Sequence, residues 1–124
     1  LQTKINFMLT VYGIPNCDTV KKARTWLDQQ GIAYNFHNYK TDGITPEKIH
    51  NWLEVFPLEK VLNKASTTWK GLTDEEKAAV KDNVSATDLM VSHTSVIKRP
   101  VIEDASGKAV AVGFSGKDYE EKFL

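Results

Sequence analysis

One cysteine, Cys17, is all the thiol chemistry that 124 residues carry. No disulfide can close within such a chain, which excludes a disulfide-stapled secreted scaffold. Histidine is nearly as scarce: His37, His50 and His93 stand singly, at no spacing that would build a zinc site, so no metal is expected. An excess of charge of one sign is also missing, with 16 Lys plus Arg against 16 Asp plus Glu. That balance supplies no field to draw in nucleic acid or an anionic membrane, and neither is expected as a partner. No apolar run approaches the roughly 20 residues of a membrane-spanning helix, and residues 1–7 show no signal-peptide core. The expected setting is reducing and cytoplasmic.

What is present suffices for one core. A chain of this length with 41% hydrophobic residues can bury one real interior but not two of ordinary size. Met8 opens the first strand-like run, so residues 1–7 are set aside as an upstream extension or expression remnant, and 8–124 is taken as a single domain. Leu9-Thr10-Val11-Tyr12, β-branched and aromatic, runs into Gly13 and Pro15 as a buried strand runs into a turn. From Asn16 onward Val20, Ala23 and Leu27 recur at helical spacing, with Gly31 where a C-terminal cap belongs. Residues 32–39 alternate in part and predict a second strand, parallel to the first across the helical crossover.

Thr45-Pro46-Glu47 supplies a cap and an N1 proline for a helix that carries Ile49, Trp52, Leu53 and Phe56 and stops at Pro57. Thr73-Asp74-Glu75-Glu76 predicts a capping box and a helix through Asn83, and Ser85-Ala86-Thr87-Asp88 predicts another before Leu89. Residues 100–103 and 108–112 are spaced as a hairpin about Ser106-Gly107, and Ser115 caps a final helix carrying Tyr119 and Phe123. The order is βαβ, a helical insertion over about 45–93, then ββα: an α/β, thioredoxin-like plan.

Cys17 falls between a strand-ending loop and the first turn of a helix, where unsatisfied N–H groups and the positive end of the helix dipole favour a thiolate. A cysteine kept only for packing belongs on the face of Val20, Ala23 and Leu27, so the position points to nucleophilic chemistry. Arg99-Pro100 opens a strand after a helical stretch; in a thioredoxin-like fold this would be the cis proline facing the cysteine, with Arg99 near the thiolate or a bound carboxylate. Asn63-Lys64-Ala65-Ser66-Thr67-Thr68-Trp69 fits an anion or thiol-substrate site and a capping turn over Trp69 equally well. Lys21, Lys22 and Arg24 read as solvated helix charges, and Trp26 and Trp52 as core.

Several stretches together carry a resemblance: Tyr12-Gly13-Ile14-Pro15-Asn16-Cys17-Asp18-Thr19-Val20-Lys21-Lys22-Ala23, Asn63-Lys64 with Thr67-Thr68-Trp69, Ile97-Lys98-Arg99-Pro100, and Gly113-Phe114-Ser115. In this order the chain resembles the arsenate reductase (ArsC-type) family, in particular its YffB-like branch. The resemblance implies a thioredoxin fold, Cys17 as nucleophile, no bound cofactor, and glutathione or a glutaredoxin as the outside reductant. It implies that Thr19 belongs to an anion-cradling loop with Asn16 and Asp18, and that Asn63, Lys64, Arg99 and Pro100 flank the substrate or glutathione. Val20 stands where arsenate reductases carry serine and Spx-like regulators a second cysteine. Of three arginines expected around an oxyanion only Arg99 is present, with Asn63 and Lys64 near the first position and Phe114 near the third.

Those replacements favour a thiol or small-molecule substrate over arsenate, since lysine is a point charge and asparagine and phenylalanine carry none. The expected activity is therefore glutathione-dependent thiol oxidoreduction, with an external thiol resolving the Cys17 mixed disulfide. Two alternatives stand beside it: glutathione- or glutaredoxin-linked arsenate reduction, and a non-enzymatic, Spx-like role in binding RNA polymerase.

Overall fold

The computed structural model describes residues 8–124, so the reading of residues 1–7 lies outside the described residues. Contacts group the chain into two units, one formed by its early and late segments and one by Gly43–Lys98.

The first unit is built on a four-stranded sheet. β1 (Leu9–Gly13) pairs in parallel with β2 (Tyr34–Asn38), Leu9 opposite Tyr34, across the crossover helix α1 (Asp18–Gln29). On its other side β1 pairs antiparallel with β3 (Val101–Glu103), which pairs antiparallel with β4 (Ala109–Val112), giving the order β2-β1-β3-β4. This mixed sheet with its parallel crossover is the thioredoxin-like arrangement that the element order predicts. α1 turns Val20, Ala23 and Leu27 inward, as their spacing requires, and Ala23 and Leu27 join Val11, Ile102 and Tyr119 in the core. Gly31, just past the Gln30 cap, takes φ +69°, the left-handed conformation that ends a helix without a Cβ penalty.

Residue 39 leaves the strand expected to hold it. Asn38 accepts the Lys40 N–H on Oδ1 (2.9 Å) and donates its own N–H to Asp42 Oδ2 (3.2 Å), which closes one turn of helix, α2 (Tyr39–Asp42), with Tyr39 buried. The hairpin turns at Gly107, φ +88°, with Asp104 Oδ1 accepting from the Ser106 and Lys108 N–H groups. The final helix (Gly116–Phe123), numbered α8 in chain order, is capped by Ser115 accepting from Asp118 N–H (3.2 Å) and buries Tyr119.

The second unit is helical. α3 (Pro46–Val55) starts as its sequence predicts, with Thr45 accepting from the Lys48 N–H and Pro46 at the first position, and it buries Ile49 and Trp52. Pro57 stops it and also serves as N-cap of a short turn, α4 (Leu58–Val61). Ser66 caps α5 (Thr67–Lys70) by accepting from the Trp69 N–H.

The Thr73–Glu76 capping box forms, but α6 (Asp74–Ala78) is far shorter than the helix expected through Asn83. It buries no residue, so no packing extends it. The next box is not Ser85 with Asp88. Asp82 is the cap and Ser85 its N3 partner: Asp82 Oδ1 accepts the Ser85 N–H (2.8 Å) while Ser85 Oγ accepts the Asp82 N–H (3.1 Å), and α7 (Asn83–Ser92) starts there. A 3₁₀ turn (Thr94–Val96) and an isolated bridge between Leu62 and Ile97 close the unit.

Candidate active site

Cys17 is the N-cap of α1, one residue before the helix proper, with an extended backbone (φ −139°, ψ 125°) and no side-chain capping hydrogen bond. Its carbonyl accepts the Lys21 N–H (2.9 Å), so the first-turn N–H groups of Asp18, Thr19 and Val20 precede the first helical bond. The thiol is half-buried, whereas Asn16, Asp18 and Thr19 are exposed. The loop thus presents sulfur and backbone donors together, the arrangement that stabilises a thiolate or a bound anion.

The turn that delivers Cys17 is held from beneath. A Cβ at Gly13 would lie 2.8 Å from Val20 Cγ2 and 3.7 Å from Arg99 Cβ, so the end of β1, the first turn of α1 and the root of Arg99 meet at one point. Arg99 is half-buried, Pro100 is buried, and the peptide bond between them is cis. The Pro100 carbonyl accepts the Gly113 N–H (2.8 Å), and Gly113 in turn offers its carbonyl to the Tyr119 hydroxyl (2.6 Å). The first unit therefore holds Cys17, Arg99-Pro100 and Gly113-Phe114-Ser115, drawn from three of the four stretches that carry the sequence resemblance.

A buried polar group that the sequence reading reached only as a strand end lies in the same unit. Glu103 of β3 is 3% exposed, and its Oε1 accepts from the Tyr12 hydroxyl (2.9 Å). Burial raises the Tyr12 phenol well above its usual range, and the Glu103 charge and hydrogen bond add to the shift. Burial likewise raises Tyr39; the Arg99 charge opposes the rise, while Tyr12 and Glu103 add to it, so Arg99 and Glu103 act on the same buried hydroxyl. The available signal was a carboxylate directly following Val101-Ile102 in a strand that otherwise reads as wholly apolar.

Asn63 and Lys64 belong to the second unit. Asn63 Oδ1 accepts the Ala65 N–H (3.1 Å), its carbonyl accepts from Ser66 Oγ (2.9 Å), and Lys64 Nζ lies 5.3 Å from the centre of the Trp69 ring. The stretch forms a capping turn over a buried Trp69, which was one of its two readings.

Two readings of α1 need correction. Arg24 is not merely solvated: its guanidinium lies 4.1 Å from the Phe36 ring centre and Nε donates to the Tyr34 hydroxyl (3.0 Å), which turns it toward β2. Trp26 is only half-buried and packs on the edge of the core rather than in it, whereas Trp52 is fully buried. Among the described residues no group of three His, Cys, Asp or Glu is placed to hold a metal, and no helix is long and apolar enough to cross a membrane.

Comparison with known proteins agrees with this geometry. The sequence model of the ArsC family matches residues 12–122. A solved structure of a YffB protein is 42% identical, covers 94% of this chain and 100% of its own, and superposes with a TM-score of 0.87. The solution structure of an arsenate reductase (ArsC) related protein from Brucella melitensis is 45% identical, with 94% of each chain covered and a TM-score of 0.71. An uncharacterized protein of Haemophilus influenzae is 39% identical over 116 residues, 94% of this chain and 99% of its own.

Proposed function

Because the chain belongs to the ArsC family, we propose that it is a glutathione-dependent thiol oxidoreductase of the cytoplasm in which Cys17 is the nucleophile. The observation that carries this reading is the half-buried Cys17 thiol at the N-cap of α1, in a turn packed against the root of Arg99. In the first step the Cys17 thiolate attacks one sulfur of a substrate disulfide. The Cys17–substrate S–S bond forms, the substrate S–S bond breaks, and the departing sulfur leaves with the electron pair and takes up a proton.

Glutathione thiolate then attacks the substrate sulfur of the mixed disulfide. Cys17 leaves as thiolate and the substrate departs as its glutathione disulfide, from which a second glutathione, directly or through a glutaredoxin, releases the reduced substrate and oxidised glutathione. Backbone N–H groups at Asp18 and Thr19 stabilise the thiolate at each departure, and Arg99 holds a glutathione carboxylate. Asn16 and Pro100 shape the loops on either side of the sulfur in this proposal.

The test is turnover of a glutathionylated peptide or hydroxyethyl disulfide with glutathione, glutaredoxin and a NADPH-coupled readout, alongside intact-mass analysis of the trapped protein. The expected result is a single adduct of the substrate thiol on Cys17, loss of turnover in Cys17→Ser, and a raised KM for glutathione in Arg99→Gln. Turnover that survives Cys17→Ser, or a protein that forms no adduct, overturns the reading. Arsenate in place of the disulfide tests the alternative substrate in the same assay.

A further inference from the structure

Lys21 follows Cys17 by one turn of α1, and the row that it begins with Thr25 and Gln29 winds on around the helix away from the cysteine. Lys21, Thr25 and Gln29, with Lys22 and Trp26 beside them and Phe114 opposite, enclose an open groove of about 310 Å³. Its lining is mostly apolar, supplied by Trp26 and Phe114. Both rings are held edge-on by Tyr119, at centroid separations of 5.4 and 5.0 Å, so the floor is preformed rather than folded on demand. Lys21 and Lys22 are exposed at the rim, while the third cation of the helix, Arg24, is turned away to β2.

The groove begins one helical turn, about 6 Å along the axis, from the reactive cysteine. A polypeptide whose sulfur is bonded to Cys17 can reach the Lys21 end of this groove with its flanking residues. Two lysines call for carboxylates, and an aromatic floor calls for an apolar or aromatic side chain. Glutathione has the first and not the second. We propose that the groove is a docking subsite for the substrate, and that the substrate is a polypeptide whose oxidised cysteine is flanked by an acidic segment bearing an aromatic side chain. The proposal rests on Cys17 being the nucleophile for disulfides and adds to it the class of molecule attacked.

Two arms test it. The binding arm uses a capped hexapeptide of two glutamates, one phenylalanine, two glycines and a serine in place of cysteine, which cannot react, and follows tryptophan emission. Trp26 is the informative fluorophore, because Trp52 is 0% and Trp69 9% exposed. A saturable change is expected that is lost in Trp26→Phe, and that weakens about tenfold when the peptide glutamates become lysines or when Lys21→Gln and Lys22→Gln are combined.

The reaction arm uses the cysteine versions of the acidic and lysine peptides as mixed disulfides with glutathione. An approximately tenfold preference in kcat/KM for the acidic peptide is expected, abolished in the double lysine variant, with unchanged reaction toward neutral hydroxyethyl disulfide. No saturable binding, or equal affinity for the two peptides, overturns the groove as a docking site. Reaction with every disulfide but without preference overturns it as the source of substrate choice. Cys17 inert toward all disulfides overturns the proposed activity instead, and the binding arm still decides the groove.

Discussion

Gly13 has no room for a methyl group. A Cβ there would stand 2.8 Å from a γ-carbon of Val20, a fully buried side chain whose rotation on a helix is restricted by its branch. The reason for glycine is crowding: Gly13 is not among the glycines with positive φ, although the sequence marks it only as a strand-ending turn residue. Gly13→Ala is expected to lower stability by about 1–3 kcal/mol. Measured by denaturant unfolding, the same substitution should cost less than half as much in a Val20→Ala background; an equal cost in both backgrounds would place the strain elsewhere. The contact also accounts for Val20 itself. The position that would carry a second thiol in a Cys-x-x-Cys motif is occupied here by a side chain committed to packing under the Cys17 turn, so the proposed reaction draws its resolving thiol from another molecule.

At the scale of elements, the two capping boxes of the second unit make stability depend on acid. The Thr73 N–H and hydroxyl hold the Glu76 carboxyl below its ordinary value of 4.5, and the Ser85 N–H and hydroxyl hold Asp82 below 3.8. Both carboxyls bind protons less readily folded than unfolded, so their contribution is complete above those ordinary values and is lost as pH falls through the lowered ones. Thermal melts between about pH 5 and pH 3 should show less acid sensitivity in Glu76→Gln and Asp82→Asn, the second of which keeps a capping acceptor. Identical slopes in variant and parent would show that the boxes do not hold in solution.

These same elements mark how far the sequence could be read. Thr45-Pro46, Thr73…Glu76 and Ser115 announced helix starts correctly because each cap is a local event among four residues. The stop of α6 and the true cap of α7 were missed for a related reason. Asp82 and Ser85 compete with Ser85 and Asp88 for one helix start, and only the packing of Ala86, Thr87 and Met90 selects between them. In the candidate site Cys17 and Arg99-Pro100 were legible from local position, whereas the Tyr12–Glu103 pair joins residues 91 positions apart and leaves no local pattern.

Across the whole molecule, three of the four tyrosines, Tyr12, Tyr39 and Tyr119, are buried in the first unit, and burial raises each phenol above its ordinary value of 10.0. The folded chain keeps these protons where the unfolded chain releases them. Their contribution is therefore whole below about pH 10 and declines as pH rises beyond it. Absorbance at 295 nm should show these three tyrosines ionising together with the loss of far-ultraviolet circular dichroism; their ionisation in a still-folded chain would contradict this. The sheet that buries them has a further consequence for how the chain is made. β1 finds β2 soon after both are made, but its antiparallel partner β3 arrives only once the whole helical unit has been threaded out. The central pairing of the sheet thus closes a far longer loop than the β1–β2 pairing, at a greater entropic cost, and it forms after that pairing on the ribosome.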